Sequence, residues 1–520
     1  MAQKIKIDPV SRIEGHLKIE VTVDGGVVKE AESSGTLFRG FEIILRGRDP
    51  RDAQRITQRV CGVCPTSHAM ASTLNLDSAF GIAEDVPDNG RIMRNLILAG
   101  NYMQSHILHF FHLAALDYVD VTALADYDGE DPGMASIKAF IDRGELGPFF
   151  PRYEGDYRLS KAVNRAAVAA YVQALDMRRV AHEATAIWNT KMPHGSGIVP
   201  GGVTETPTAD KIEAYHWKMN QLLDFTNSVY IPVLMEVAKA YLDHAGFGGG
   251  CGRYVSYGVF EMEPGGADYA GRKRFLNSGV TEAGGSSVQK LDASKITEDV
   301  HSSWLDGPDG LHPSSGQTNP APGKKGGHSW LKSPRYDGKV GEVGPLARIY
   351  TNYVAGHAAV KEVVDGALAA LGADAGALPS VLGRHAARAL EAKLVAEAAA
   401  KWVLDLKPGE PVACDAPVPA EAQGMGLTEA PRGALGHWVN VKDGKIANYQ
   451  LVVPTTWNAG PADASGQPGP IEQALIGSPV KDPENPFEVV RIVRSFDPCL
   501  ACAVHMLDAR GNDLGRYRIA

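Results

Sequence analysis

Cys61-Gly-Val-Cys64-Pro-Thr-Ser-His68 and Asp497-Pro-Cys499-Leu-Ala-Cys502-Ala-Val-His505 are the stretches that decide the fold of this chain of 520 residues. Two cysteines separated by two residues can point two thiolates at one metal ion, and two such pairs complete a four-sulfur site. Because one pair lies near each end of the chain, a shared site requires both ends to meet in the core. The spacing therefore predicts a large unit that folds around a buried metal centre.

The composition is that of a globular protein, with 44% hydrophobic and 22% charged residues. The net charge of −9 gives a nucleic-acid partner no electrostatic support. No run approaches the roughly 20 apolar residues of a membrane span, because charged side chains interrupt even the alanine-rich residues 364–400. Residues 1–8 lack the apolar core of an export signal, and 6 cysteines do not make a disulfide scaffold. We therefore expect no export signal on this chain itself.

Hydrophobic periodicity and turn signals predict a mainly helical fold with small sheets. Hairpins are predicted at residues 16–33 and 438–453, where Asp-Gly turns divide extended runs, and a third around residues 510–512. Amphipathic patterns predict helices at residues 91–118, 157–190, 209–245, 354–372 and 380–404. The Gly- and Pro-rich residues 246–345 are predicted to be irregular. The expected fold class is α+β, predominantly α, with a core bundle of long helices and small antiparallel sheets near both termini.

The cysteine pairs by themselves leave the metal open. Two such pairs most often hold structural zinc, usually within a few tens of residues of each other. Here the pairs are far apart, and His68 and His505 follow them at similar offsets. Thiolates equally suit nickel and iron. The remaining cysteines, Cys251 and Cys414, have no partner at ligand spacing and are expected to be inert thiols.

Residues 58–68 and 497–505 resemble the two signature motifs of the nickel–iron hydrogenase large subunit, of the uptake or respiratory type. Further segments resemble that family in the same order along the chain: Asp8–His16, Phe38–Glu42, Ser329–Tyr336, Glu342–Arg348 and Gln450–Asn458. The resemblance implies that residues 1–505 form one large catalytic unit with this family's fold. It also implies an oxidoreductase that cleaves H2 reversibly and heterolytically into protons and electrons.

The resemblance assigns roles to individual residues. It implies that nickel is held by Cys61, Cys64, Cys499 and Cys502, and that Cys64 and Cys502 also bind an iron carrying carbon monoxide and cyanide. Cys499 is expected to accept the proton from H2, and Glu14 to relay it, provided that burial raises the pKa of its carboxyl group. Without the resemblance, Glu14 would be interpreted as a salt-bridged surface residue.

Further residues are implied to surround this centre. Arg432 is expected above the open metal position, with Pro431 as a wall of the pocket, and His68 as a hydrogen-bond donor to a bridging sulfur. Taken alone, Arg432 would be a surface arginine in a turn and His68 a structural histidine. Ser105 stands where many relatives carry Asp, so the Arg432 pocket is expected to lack that carboxylate. His106, His109 and His112 recur every three residues, and packing around the centre is favoured over a metal-binding face.

The resemblance implies a second metal site and several partners. Magnesium is expected at Glu42, the backbone carbonyl of Leu451 and His505, although histidine is an unusual ligand for it. Residues 506–520 are expected to be removed by a maturation protease once chaperones have inserted nickel. Because two leftover cysteines cannot build an iron–sulfur cluster, the clusters are expected in a small subunit.

The expected location is the periplasmic side of the cell envelope, with membrane association through partner subunits and a cytoplasmic location as the alternative. Two other functions remain as alternatives: a structural-zinc protein, and a relative of the complex I subunit without hydrogenase activity. That relative lacks the cysteine pairs, whereas this chain has all four cysteines.

Overall fold

The computed structural model describes residues 2–149, 152, 154–266 and 269–503, without the side chains of residues 148, 270, 502 and 503. Its α-helices are α1 Phe41–Ile44, α2 Asp52–Thr57, α3 Pro65–Ala79, α4 Asp88–Ile107, α5 Pro132–Asp142, α6 Lys161–Asn189, α7 Ala209–Phe225, α8 Ile231–Ala240, α9 Pro345–Val354, α10 Ala358–Leu371, α11 Val381–Trp402, α12 Pro454–Ala459, α13 Pro470–Leu475, α14 Phe487–Ser495 and α15 Leu500–Ala503. Its strands are β1 Gln3–Ile7, β2 Leu17–Asp24, β3 Val27–Gly35, β4 Ile198–Val199, β5 Gly202–Val203, β6 Arg253–Ser256, β7 Val259–Glu261, β8 Arg274–Leu276, β9 Gly279–Glu282, β10 Ile296–Asp299, β11 Ser333–Tyr336, β12 Ala422–Ala430, β13 Gly433–Lys442 and β14 Lys445–Val452.

The core is a bundle in which α4, α6, α7 and α11 pack against one another. Helix α6 begins where the Ser160 side chain accepts a hydrogen bond from the backbone N–H of Val163, which satisfies one of the unpaired donors of the first turn. A Cβ atom at Gly100 of α4 would lie 2.3 Å from Oγ1 of Thr185 on α6. Glycine at this position therefore allows α4 and α6 to approach closely.

Small antiparallel sheets lie near both ends of the chain, as predicted. Strands β1, β2 and β3 pair in that order, and β12, β13 and β14 form the second sheet. Strand β12 lies directly on α3: a Cβ at Gly424 or Gly426 would come within 2.3 and 2.1 Å of carbonyl oxygens of Asn75 and Ala71. This sheet thus supports α3, the helix that begins immediately after Cys64.

The two ends of the chain meet as the cysteine spacing required. Glu14 lies beside Cys499 in a parallel bridge, with hydrogen bonds from the Glu14 N–H to the Pro498 carbonyl at 3.3 Å and from the Leu500 N–H to the Glu14 carbonyl at 2.8 Å. Gly15 has a φ of +83°, and a Cβ there would lie 2.7 Å from Cβ of Leu500. The N-terminal segment therefore packs directly against the second cysteine loop.

The helices predicted at 157–190 and 380–404 are the continuous helices α6 and α11, but two other predicted helices are divided. The helix expected at residues 91–118 is α4, followed by a π-helix at Leu108–Ala114 and a 3-10 turn at Ala115–Asp117. The helix expected at 209–245 is α7 and α8, with a π-helix at Thr226–Tyr230 between them. Pro232 lies in the first turn of α8, where its missing N–H is tolerated. Hydrophobic periodicity does not report such local changes in hydrogen bonding.

The remaining predictions differ in outcome. The pattern at 354–372 is α10, and Gly356, with a φ of +77°, separates it from α9. Residues 246–345 contain the short strands β6–β11 and end with the start of α9. The hairpin predicted around residues 510–512 lies outside the described residues. Among the helices that the structure describes, none has the length and apolar character required to cross a bilayer.

Candidate metal centre

Three cysteine sulfurs converge in the core. The Sγ atoms of Cys61, Cys64 and Cys499 lie within 4.8 Å of one another, and all three residues are buried. The sulfurs of Cys61 and Cys499 are 3.3 Å apart, well beyond the roughly 2.05 Å of a disulfide bond. Convergence without bonding is the arrangement that soft metal ions require. Cys502, the fourth predicted ligand, lies on α15, but its side chain is outside the described part.

The first cysteine loop is built by a short turn and a helix start. Cys61 is extended after the 3-10 turn Gln58–Val60, and Cys64 caps α3, whose first residue is Pro65. The backbone N–H groups of Val63 and Cys64 point at Sγ of Cys61, at 3.2 and 3.4 Å. Such donors favour the thiolate, which is the form that binds a metal.

Neighbouring side chains hold this loop in place. Asn101 and Gln104 of α4 both donate to the carbonyl of Val63, at 2.9 and 2.8 Å. Arg39 donates to the carbonyl of Val60 and, at 2.6 Å, to that of Ala501. Arg39 thereby joins the first cysteine loop to the second, a role that the sequence analysis did not assign.

The second cysteine loop is fixed by a backbone contact and by Glu14. The N–H of Cys499 donates to Oγ1 of Thr455 at 2.9 Å. The sulfur of Cys499 lies 3.2 Å from Oε2 of Glu14, and the N–H of Ala501 donates to the same oxygen at 2.8 Å. Burial, followed by the negative charge of Cys61, raises the pKa of Glu14 above its usual range. The carboxyl group is thus adjacent to the expected proton acceptor and has the expected direction of pKa shift.

Arg432 lies at the tip of a two-residue hairpin turn between β12 and β13 and is buried. Its Nε donates to the carbonyl of Asp497 at 3.1 Å, and its Nη1 to Oγ of Ser105 at 3.3 Å. An ion pair of 3.0 Å joins Nη2 to Oδ1 of Asp497, in an orientation that is not that of an aligned hydrogen bond. Burial lowers the pKa of Arg432, but the charges of Asp497 and the three cysteines raise it well above its usual value.

The pocket of Arg432 contains a carboxylate from another segment, although position 105 supplies none. Asp497 is the first residue of the second cysteine motif, and its φ of 56° lies in the left-handed region. Folding of that loop brings Asp497 beneath the hairpin tip that carries Pro431 and Arg432. Ser105 contributes only a hydroxyl group. Only the fold places Asp497 beside an arginine that lies 65 residues away in sequence.

His68 lies in a chain of hydrogen bonds behind the cysteines. Its Nδ1 is 3.2 Å from Nε2 of His437, whose Nδ1 is 2.9 Å from the hydroxyl of Tyr449. Burial lowers the pKa of His68 to about 4, so the ring is neutral near pH 7. With Nδ1 engaged by His437, Nε2 is the nitrogen that would donate to a bridging sulfur. That role stays a prediction.

The three histidines at helical spacing have separate partners. Nε2 of His106 lies 2.8 Å from Oε2 of Glu391, while Nε2 of His109 and of His112 face backbone carbonyls at 2.7 and 3.2 Å. Burial lowers the pKa of all three. These contacts agree with the expected packing role and do not form a metal-binding face.

The expected magnesium site is partly described. Glu42 is buried; its Oε1 accepts a hydrogen bond from the N–H of Leu451 at 2.8 Å, and its Oε2 accepts one from the hydroxyl of Thr318. The ammonium of Lys332 is 3.9 Å from Oε1 of Glu42 and 2.9 Å from Oε2 of Glu298. His505 lies outside the described residues. The polar cluster around Glu42 was not recognised in the sequence, because Thr318, Lys332 and Glu298 come from the irregular region.

Comparison with known proteins decides the family. A family profile described as nickel-dependent hydrogenase matches residues 39–505, and one described as HoxL-like matches residues 4–34. The chain belongs to the nickel-dependent hydrogenase family. This hydrogenase is 44% identical over 522 residues to the periplasmic [NiFeSe] hydrogenase large subunit of Desulfomicrobium baculatum, covering 97% of this chain and 95% of that one. It is 36% identical over 584 residues to the uptake hydrogenase large subunit of Rhizobium leguminosarum bv. viciae, covering 99% and 97%.

The fold of this hydrogenase is also that of solved relatives. The reduced Ni-Fe-Se hydrogenase from D. vulgaris Hildenborough superposes with a TM-score of 0.85 at 44% identity, covering 97% of this chain and 100% of that chain. The predicted family, fold class and hydrogenase activity are therefore confirmed, and the alternatives without that activity are not favoured. The names of the Desulfomicrobium baculatum and D. vulgaris Hildenborough relatives record selenium, whereas this hydrogenase has cysteine at all four motif positions.

Proposed function

We propose that this hydrogenase large subunit cleaves H2 at a nickel–iron centre held by Cys61, Cys64, Cys499 and Cys502, of which Cys64 and Cys502 also bind iron. The observation that carries the proposal is the cluster of three buried sulfurs within 4.8 Å, beside the Glu14 carboxyl group. The donor set fits the metals, because soft thiolates suit nickel and iron. When bound, the centre supplies the metal ions at which H2 is polarised and oxidised.

The protein moves the proton by two adjacent groups. The thiolate of Cys499 accepts the proton released from H2, and Oε2 of Glu14, at 3.2 Å, is close enough to receive it. Burial raises the pKa of Glu14 toward neutral pH, which suits the carboxyl group to both accept and release a proton. The same two groups return a proton when the reaction runs toward H2.

Arg432 orients H2 beside the sulfurs. Its guanidinium is held by Asp497 and Ser105, so its position is fixed before H2 arrives. A preorganised charge costs no rearrangement during the reaction. Pro431 precedes it in the same tight turn and helps to exclude water, because both residues lie in the buried hairpin tip.

The proposal extends to groups outside the described residues. Iron would carry carbon monoxide and cyanide, and magnesium would lie at Glu42, the Leu451 carbonyl and His505. Residues 506–520 would be removed by a maturation protease after chaperones insert nickel, leaving the catalytic unit 1–505.

The chain is a large subunit of a heterodimeric hydrogenase, which implies a small-subunit partner. We propose that this partner holds the iron–sulfur clusters, since Cys251 and Cys414 are the only cysteines left over. A relative named periplasmic and one named quinone-reactive favour a periplasmic, membrane-associated complex.

Metal analysis and infrared spectroscopy of the purified complex test the proposal. About one nickel per large subunit is expected, with carbon monoxide and cyanide bands from the iron of the centre and additional iron from the clusters of the small subunit; zinc in place of nickel would refute it. Replacing Cys499 by Ser should abolish nickel binding, whereas Cys414→Ser should leave the metal content unchanged. Mass spectrometry of the native chain should show a C-terminus at His505, and a mature end at Ala520 would contradict the processing step.

A further inference from the structure

The turn that presents Arg432 rests on the start of α9. Ala430 and Gly433 pair directly across the turn, so Pro431 and Arg432 form its tip. Gly433 has a φ of +135°, and a Cβ there would lie 2.6 Å from the backbone nitrogen of Gly344, which precedes α9. The hairpin tip and the N-terminus of α9 are therefore in direct contact, and Arg348 lies one turn into that helix.

Arg348 holds this turn by its backbone. Its Nη1 donates to the carbonyl of Ala430 at 3.0 Å, and its Nη2 to the carbonyl of Pro431 at 2.8 Å. These are the two peptide oxygens immediately before Arg432. The Arg348 side chain has no exposed surface, so these bonds are not exchanged for bonds to bulk water.

Two buried carboxylates fix the Arg348 guanidinium. Glu391 of α11 accepts from Nε and Nη2, both at 2.6 Å, and Glu429 of β12 accepts from Nη1 at 2.6 Å. Both oxygens of Glu391 thus bind the guanidinium, and His106 lies 2.8 Å from one of them; the other oxygen of Glu429 accepts the N–H of Tyr257 at 2.6 Å. The guanidinium thus has one orientation in which all of its partners are satisfied.

Stability alone does not account for this network. Removing an arginine and two glutamates from water is costly, and well-packed apolar residues often serve a fold equally well. The network connects α4, α9, α11 and β12 at the point where Arg432 enters the pocket. Ser105, the direct partner of Arg432, and His106, the partner of Glu391, are adjacent on α4. The same helix therefore contacts Arg432 directly and supports it through Arg348.

We propose that Arg348 is a positioning residue for H2 cleavage: by binding the Ala430 and Pro431 carbonyls, with Glu391 and Glu429 as its anchors, it sets the place of the Arg432 guanidinium above the cysteines. This inference rests on the proposed role of Arg432. It adds that the position of Arg432 depends on a second arginine that does not touch the sulfurs. A lysine at position 348 is a point charge and cannot hold two carboxylates and two carbonyls at once.

The test compares Arg348→Lys with a matched control in the complete complex. The control is Arg94→Lys, because Arg94 is also buried, pairs with Asp77 at 2.7 Å and donates to the carbonyls of Gly202 and Val199, so that it joins α4 to β4 and β5 and not to the Arg432 turn. For each variant we would measure kcat and KM for H2, the nickel and iron content and the melting temperature. A crystal structure of the variant complex would locate the Arg432 guanidinium. Arg432→Lys and the double variant Arg348→Lys/Arg432→Lys complete a mutant cycle.

In the Arg348→Lys variant we expect full metal content, a displaced Arg432 guanidinium and a kcat reduced by about tenfold or more, since small misplacements reduce catalysis strongly. Arg94→Lys should keep its kcat even if it melts earlier. In the Arg432→Lys background, Arg348→Lys should have little further effect. An undisturbed Arg432 in the variant crystal structure, an unchanged kcat, or independent losses in the cycle would overturn the proposal.

Two further controls keep the result unambiguous. If Arg348→Lys does not assemble, Glu429→Gln weakens one anchor only and should lower kcat in the same direction with full metal content; an unchanged kcat there would also overturn the proposal. Failure of the proposed function would appear differently, as a wild-type complex without nickel or without H2 turnover. A loss confined to Arg348 variants therefore bears on the positioning role alone.

Discussion

Oε2 of Glu14 lies 3.2 Å from Sγ of Cys499, although 485 positions separate the two residues in the sequence. The contact is supported by a backbone bridge between the same two residues and by the Ala501 N–H at 2.8 Å from the same oxygen. Because the carboxyl group is mostly buried and its pKa is raised by that burial, it is suited to exchange a proton with the sulfur.

Glu14→Gln should separate proton transfer from assembly. The amide retains an acceptor for the Ala501 N–H but cannot carry a proton, so H2 oxidation should fall by about 100-fold with nickel and iron content unchanged. The measurement is turnover beside metal analysis of the purified complex. Glu30→Gln, at an exposed position of β3, is the control and should match the wild type. Wild-type turnover in fully loaded Glu14→Gln would show that the proton leaves by another group.

Asp497→Asn tests the carboxylate beneath Arg432. Loss of one partner from a buried charge pair should cost about 3 kcal/mol, and the freed guanidinium should lower kcat. Ser105→Ala removes a single weak hydrogen bond of 3.3 Å and should cost about 1 kcal/mol or less. Melting temperatures and turnover of both variants check this order. Equal effects of the two substitutions would mean that Arg432 does not depend on the Asp497 charge.

Gly15→Ala should open the contact between the N-terminal segment and the second cysteine loop. A Cβ there would lie 2.7 Å from Cβ of Leu500 and 2.8 Å from the Ala501 nitrogen, at a φ that already disfavours alanine. We expect a loss of about 2–3 kcal/mol and reduced nickel retention. Gly25→Ala is the matched control, since Gly25 also has a positive φ but no atom within 4 Å of its Cβ position. Equal nickel content in both variants would contradict the prediction.

Glu472 should make the stability depend on pH. It is buried where β3 meets α13, and its oxygens accept backbone N–H bonds from Ser33 and Gly469 at 2.9 and 2.8 Å. Burial raises its pKa to about 7 from an ordinary value of 4.5. The folded state thus holds this proton more tightly than the unfolded state, so stability is lost as pH rises from about 4.5 to about 7, by up to about 3 kcal/mol.

The measurement for Glu472 is the melting temperature of the wild type and of Glu472→Gln between pH 5 and pH 8. The variant is expected to be less stable at pH 5, because a neutral amide replaces a protonated carboxyl with a different donor pattern. Its melting temperature relative to the wild type should rise as pH increases, because only the wild type must ionise a buried group. A constant difference across this range would exclude Glu472 as a titrating group.

Much of the fold could be predicted from local patterns. Turn residues predict the hairpins at Asp24–Gly26 and Asp443-Gly444, and hydrophobic periodicity predicts the long helices. Both signals depend on neighbouring residues only. The π-helices at Leu108–Ala114 and Thr226–Tyr230 did not follow, because they depend on how two helices pack against each other. The short strands of the irregular region have distant pairing partners and leave a weak local signal.

The sequence by itself determined the chemistry of this protein: two cysteine pairs, a glutamate and an arginine in recognisable segments were enough to predict a metal-dependent hydrogenase subunit. Only the tertiary structure decided which groups support them. Asp497 beneath Arg432, Arg39 between the cysteine loops and Arg348 behind the hairpin tip come from segments far apart in the chain. The physical reason is that ligand type is a property of single residues and their spacing. The position and pKa of a buried charge depend instead on every element packed around it.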